Sequence, residues 1–167
     1  MIRPQKVLEL GTFTGYSALC VAEALDEDAC VHTVEADDEL EEEILSNLSK
    51  SPHGYKVKLH IGDAGEVMKQ FPEESFDFLI IDADKREYPQ YFIQAMRLLK
   101  PGGFILADNT LWDGHVVEKG KHSSQTKGIL EFNDMLMETP GIDVAMIPFR
   151  DGITLIRKVN VDGGDDK

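Results

Sequence analysis

The chain has 167 residues, 42% of them hydrophobic and 29% charged, with a formal net charge of −14. That size fits one domain with a substantial core, and the acidity speaks against nucleic acid and anionic membrane surfaces, which are read by clustered Lys and Arg. No apolar run approaches the roughly 20 residues needed to span a bilayer, and no basic segment followed by an apolar one suggests secretion, so a cytoplasmic protein is expected.

In chain order, short apolar β-branched runs alternate with amphipathic ones. Strands are predicted at Lys6–Leu10, Cys30–Glu35, Lys56–Ile61, Phe76–Asp82 and Gly103–Asp108, with helices at Tyr16–Leu25, Asp38–Ser49, Ala64–Phe71 and Tyr88–Leu99. The run Phe78, Leu79, Ile80, Ile81 is continuously apolar, as a central strand covered on both faces requires. This alternation implies a mainly parallel sheet with right-handed crossovers. After a helix at Gln125–Glu138, Thr139-Pro140-Gly141 stops the chain. The strands Asp143–Ile147 and Ile153–Lys158 are too close for a crossover helix, so this last pair should be antiparallel. The fold class is therefore α/β, a mostly parallel seven-stranded sheet with a C-terminal antiparallel hairpin, and a sheet ending in this way resembles the Rossmann-like methyltransferase version of the doubly wound fold.

The first strand runs into Glu9-Leu10-Gly11-Thr12-Phe13-Thr14-Gly15-Tyr16-Ser17. In a doubly wound sheet this turn borders the ligand crevice. Gly11 permits a tight turn and Gly15 lets the helix begin close to a ligand. The spacing is not the G-x-G-x-x-G that cradles a pyrophosphate. An acid, Glu9, occupies the strand end, which suits a ligand carrying an amino group and a sulfonium. Glu35 ends the second strand, where an acid meets a ribose hydroxyl pair. It also opens an acidic run, Glu35 to Glu43, with seven carboxylates in nine positions, that reads as a solvated helix face. Asp63 follows the third strand, where it can cap the next helix and face an adenine; the two roles are compatible.

Asp82 ends the fourth strand, and Asp108 and Asn109 the fifth. Two carboxylates and an amide, with other positions open, suit Mg²⁺, which prefers hard oxygen ligands; capping and turn formation is the competing use of Asp and Asn. Lys85 lies three residues past Asp82. Burial and a neighbouring dication would both disfavour an ammonium and favour a general base, whereas position alone fits a surface lysine equally. Cys20 and Cys30 form no disulfide framework and are expected to be reduced, buried thiols. The five histidines have no metal-ligand spacing, so zinc is not expected.

Four motifs, Val7-Leu8-Glu9-Leu10-Gly11-Thr12-Phe13-Thr14-Gly15-Tyr16-Ser17, Asp82-Ala83-Asp84-Lys85, Asp108-Asn109-Thr110-Leu111-Trp112 and Asp151-Gly152-Ile153-Thr154, resemble in order and spacing those of the caffeoyl-CoA/catechol O-methyltransferase family. The resemblance covers nearly the whole chain. It implies a cation-dependent enzyme that transfers a methyl group from S-adenosylmethionine to a hydroxylated aromatic acceptor. By it, Glu9, Gly11, Thr12, Gly15, Ser17, Glu35, Asp63, Ala64 and Asp82 would hold S-adenosylmethionine. Asp82, Asp108 and Asn109 would bind a divalent cation such as Mg²⁺, Lys85 would be the base, and Asp84, Trp112 and Asp151 would border the acceptor. Residues 1–160 would form the methyltransferase domain and 161–167 an acidic, disordered tail. Family members carry further N-terminal helices that help cover the site and form a dimer. This chain begins almost at the first strand, so a homodimer is expected of a longer form. A non-catalytic or weakly active S-adenosylmethionine-binding module is the alternative, and an NAD-dependent oxidoreductase is disfavoured by the glycine spacing and the terminal hairpin.

Overall fold

The strand that opens the chain, β1 (Lys6–Leu10), is followed by α1 (Tyr16–Ala24), β2 (Cys30–Glu35), α2 (Glu41–Lys50), β3 (Val57–Ile61) and α3 (Ala64–Lys69) in the computed structural model, which describes residues 2–159. The second half runs β4 (Phe76–Ile81), α4 (Tyr88–Leu98), β5 (Leu99–Asp108), α5 (Ser124–Glu138), β6 (Ile142–Ile147) and β7 (Ile153–Lys158). The seven strands form one sheet in the order β3-β2-β1-β4-β5-β7-β6. Strands β1 to β5 pair in parallel, whereas β7 lies antiparallel between β5 and β6, as the short link before it demands. The order reverses between β1 and β4, so the crevice outside their carboxyl ends is the expected ligand position. The tail assigned to 161–167 lies outside the described residues.

Apolar side chains alternate between the two sheet faces. One face carries Leu8, Leu10, Leu79, Ile81, Ile105 and Ile156 against Tyr88, Phe92, Ile129 and Phe132 of α4 and α5. The other packs Val7 and Val31 on Ala18 and Ala22 of α1, where small side chains let the helix lie close. Each fully buried Leu, Ile or Phe contributes roughly 1.5–3 kcal/mol. Among the described residues no helix is long and apolar enough to cross a membrane.

Boundaries differ from the sequence reading for physical reasons. Lys56 belongs to a 3-10 turn, because its Nζ reaches in to donate to the Ala22 and Leu25 carbonyls at 3.1 and 2.7 Å, capping the end of α1. Strand β5 begins at Leu99, before Pro101, through an irregular pairing of Leu99 with Phe76. The acidic run supplies Asp37 as a cap and Glu41, Glu42 and Glu43 to the first turn of α2, where carboxylates complement the helix dipole. Cys20 corrects an expectation: it is exposed, because Ala18 and Ala22 take the inward stripe of α1 and Cys20 points away from it; Cys30 is half-buried.

Candidate active site

The loop after β1 is folded onto its neighbours by backbone alone. Gly11 and Thr12 both donate to the Val34 carbonyl, at 3.0 and 3.2 Å, and Asp82 N–H donates to the Leu10 carbonyl at 3.0 Å. Gly11 has φ +96°, and a Cβ there would sit 2.1 Å from the Asp82 carbonyl oxygen, so both conformation and space demand glycine. Gly15 differs. Its φ of +82° favours glycine, but a Cβ would only touch Ile44 and Leu48 at 3.6 Å. It begins α1 with no side-chain cap, which leaves the first-turn N–H groups without an acceptor from the cap.

Beneath this loop Glu9 is 1% exposed. Its Oε2 accepts the Thr33 hydroxyl at 2.5 Å, and Thr12 lies 2.6 Å from the same Thr33 oxygen. Because the Thr33 hydrogen goes to Glu9, Thr12 must be the donor in the second bond. The other oxygen, Oε1, is buried without a partner. Burial pushes the Glu9 carboxyl above its ordinary value; Ser17 and Thr33 offset part of the rise, and the Asp82 charge adds to it. Ser17 faces the carboxyl without completing a hydrogen bond to Oε1.

Two clefts meet at Gly11. One, of about 380 Å³, is bordered by Thr12, Ser17, Glu35 and Asp82. Glu35 is half-buried rather than solvated: its two oxygens accept the Phe13 and Asp37 N–H groups at 2.7 and 3.0 Å, tying the first loop to the second. The other cleft, of about 330 Å³, is bordered by Asp63, Ala64, Ala36, Asp84 and Tyr91. Asp63 caps α3 by accepting the Glu66 N–H at 2.9 Å.

Ile81 of β4 pairs with Ala107 of β5, so the next residues, Asp82 and Asp108, leave neighbouring strands side by side. Asn109 follows with φ +57°, and its N–H donates to Asp108 Oδ1 at 2.7 Å. Lys85 is 7% exposed and donates to Asp82 Oδ1 and to the Tyr88 hydroxyl, each at 2.8 Å. Tyr88 is fully buried, and its hydroxyl donates toward the carbonyls of Asp108 at 2.9 Å and Ile81 at 3.1 Å. Sequence reasoning missed Tyr88. Its place three residues past Lys85, at the start of a helix, was the available signal.

Beyond β5 the chain forms a kinked 3-10 segment, Trp112–Val117, with left-handed backbone at Trp112 and Asp113. Trp112 and Asp151 border one cavity of about 520 Å³. The turn after β6 docks just ahead of this segment: the Asp151 and Gly152 carbonyls accept the Leu111 and Thr110 N–H groups at 2.7 and 3.1 Å. Thr154 donates to Thr110 at 2.8 Å in the interior. Asp84 stands apart from Trp112 and Asp151, in the Asp63 cleft, where it caps a 3-10 turn and pairs with Arg86.

The donor sets fit the groups expected of them. The unpartnered Glu9 Oε1, buried under a glycine loop, matches a ligand that brings an N–H or a positive charge. Among the described residues there is no group of three or more His, Cys, Asp or Glu suited to a metal. The set at hand is two carboxylates and an amide, Asp82, Asp108 and Asn109, chemistry matched to a hard cation that keeps positions for water or substrate.

Known proteins resemble this chain along nearly its whole length. An O-methyltransferase family model matches residues 1–159. Caffeoyl-CoA O-methyltransferase 1 of Eucalyptus globulus is 35% identical over 170 residues, which cover 96% of this chain and 69% of the relative. Tapetum-specific methyltransferase 1 of Arabidopsis thaliana is 32% identical over 167 residues, covering 95% and 72%. Among solved structures, TomG, an O-methyltransferase of Streptomyces achromogenes in complex with SAM, superposes with a TM-score of 0.88 at 28% identity, over 95% of this chain and 74% of that one. The O-methyltransferase of Bacillus cereus in complex with SAH gives 0.87 at 28% identity, over 93% and 74%.

Proposed function

The chain belongs to the O-methyltransferase family of S-adenosylmethionine-dependent enzymes, and from that premise we propose that it methylates a hydroxyl of a catechol-like or caffeoyl-CoA-like acceptor with the help of a divalent cation, Mg²⁺ by the hardness of its ligands, and a lysine base. The observation that carries this reading is Lys85: a buried amine 2.8 Å from Asp82, the residue that follows β4 and borders the glycine-loop cleft.

S-adenosylmethionine supplies the reactive methyl group on a cationic sulfur, and a divalent cation lowers the pKa of hydroxyls that chelate it. The chain's own groups do the rest. Glu9 accepts from the cofactor's amino group at its free oxygen. Glu35 accepts from the ribose hydroxyls with the lone pairs that Phe13 and Asp37 leave open. Asp63 and Ala64 border the adenine, and Gly11, Thr12, Gly15 and Ser17 let the backbone approach. Asp82, Asp108 and Asn109 hold the cation. Lys85 takes the proton from the acceptor hydroxyl nearest the methyl group, and alignment of that oxygen supplies much of the acceleration. Trp112 and Asp151 flank the aromatic acceptor; Asp84 acts from the cofactor side.

The test is a panel of catechols and caffeoyl thioesters incubated with S-adenosylmethionine and Mg²⁺, with products detected by mass. A monomethylated catechol formed by wild type, and formed by Lys85→Met at about a hundredth of that rate or less, is the expected result. Cofactor binding without product on any acceptor would leave a binding module instead.

A further inference from the structure

A lysine base needs a free lone pair aimed at the acceptor, and a lysine tail is flexible. A neutral amine has two N–H groups and one lone pair. Around Lys85 Nζ there are two acceptors, Asp82 Oδ1 and the Tyr88 oxygen, both at 2.8 Å. A tyrosine hydroxyl could also donate, which would consume the lone pair. Here it does not: its single hydrogen is directed at the Asp108 carbonyl at 2.9 Å, with Ile81 at 3.1 Å as the alternative. Toward Lys85 the hydroxyl acts as an acceptor.

We propose that Tyr88 is a positioning residue for proton transfer: its hydroxyl, committed as a donor to the ends of β4 and β5, takes one Lys85 N–H and leaves the amine's lone pair facing the acceptor. The inference rests on Lys85 being the base. The surroundings hold this geometry firmly. Tyr88 has no exposed surface, and Phe132 meets its ring edge-on at 5.5 Å. Behind Lys85, α5 presents Gly128, where a Cβ would fall 2.3 Å from the Lys85 carbonyl oxygen. The backbone of the lysine is therefore backed by helix and its tail is fixed at two points.

A double-mutant cycle tests this on wild type, Tyr88→Phe, Lys85→Met and the double variant, with catechol as acceptor and Mg²⁺ present. Phe keeps the ring and its packing. In the wild-type background Tyr88→Phe should lower kcat about tenfold, part of what a placed base supplies, with the KM for S-adenosylmethionine and its calorimetric affinity within about twofold. In the Lys85→Met background the same change should cost less than about twofold, because the group it positions is gone. An equal loss in both backgrounds, or no loss in either, overturns the role of Tyr88. Undiminished activity in Lys85→Met alone overturns the base itself, so the two failures are distinct. If Tyr88→Phe does not fold, 3-fluorotyrosine at position 88 keeps the hydroxyl but weakens it as an acceptor. It should lower kcat when Lys85 is present and leave kcat unchanged in the Lys85→Met background; no difference between the backgrounds overturns the proposal.

Discussion

Thr33 donates to one oxygen of Glu9 at 2.5 Å, and the other oxygen is buried with no partner at all. Burial raises the Glu9 carboxyl in the folded protein. A group raised in this way contributes most below its unfolded value of 4.5, and that contribution is lost as pH rises through the folded value. At neutral pH the buried Glu9 carboxyl is therefore a cost to the cofactor-free protein. Glu9→Gln should stabilise the cofactor-free protein at pH 7 by on the order of 1 kcal/mol, with the gain disappearing near pH 4. It should weaken S-adenosylmethionine binding by tenfold or more, the worth of a charge-assisted hydrogen bond. Thermal melts at both pH values and titration calorimetry read the two effects. Unchanged affinity would detach Glu9 from the cofactor.

Gly11 and Gly15 should respond differently to alanine. At Gly11 the added Cβ meets a carbonyl oxygen at 2.1 Å, so the loop or β4 must move, and a loss of roughly 3–4 kcal/mol is expected. At Gly15 only the left-handed backbone is penalised, at about 1 kcal/mol. Denaturant midpoints of the two variants check the order. Equal losses would mean that close packing on Asp82 is not what Gly11 is for.

His32 and His60 stack at 5.1 Å between ring centres, with Nδ1 of His32 2.9 Å from Nε2 of His60. Burial, then the charge of Lys6, holds His32 down to about 4. A depressed histidine contributes stability that is present above its unfolded value of 6.5 and is lost as pH falls from there toward 4. Wild type should lose roughly 2–3 kcal/mol over that window from this site. In His32→Phe the acid slope between pH 6.5 and 4 should flatten; melts across the range decide it, and an unaltered slope removes His32 from the acid response.

The strand–helix alternation and the terminal hairpin were legible because period and loop length are local: the apolar run Phe78–Ile81 reads as a central strand, although Phe78 and Ile80 are only half-buried in it, and the residues between Ile147 and Ile153 leave room only for a turn. The strand ends that carry Glu9, Asp82 and Asp108 followed from that alternation. The Glu9–Thr33–Thr12 chain did not, since it joins side chains 21 and 24 residues apart across two strands. Neither did Tyr88, whose pattern is that of any aromatic on the apolar stripe of a helix. The Lys56 cap was hidden for the same reason: a lysine in sequence carries no mark of turning inward.

The division of labour between the strand ends gives the central test. Glu9, Glu35 and Asp63 lie at or just past the carboxyl ends of β1 to β3, whereas Asp82, Asp108 and Asn109 lie at or just past those of β4 and β5. Asp108→Asn keeps an acceptor for the Asn109 N–H and removes the charge. It should cut methyl transfer by about a hundredfold or more if it costs the cation, while S-adenosylmethionine affinity stays within about twofold. The most direct measurement is methyl transfer by wild type after chelation and dialysis, with cofactor affinity followed in the same sample. Transfer should vanish, return on adding Mg²⁺, and leave S-adenosylmethionine binding in place throughout. Transfer by the chelated protein at the untreated rate would contradict the cation role and return Asp82, Asp108 and Asn109 to caps and turns.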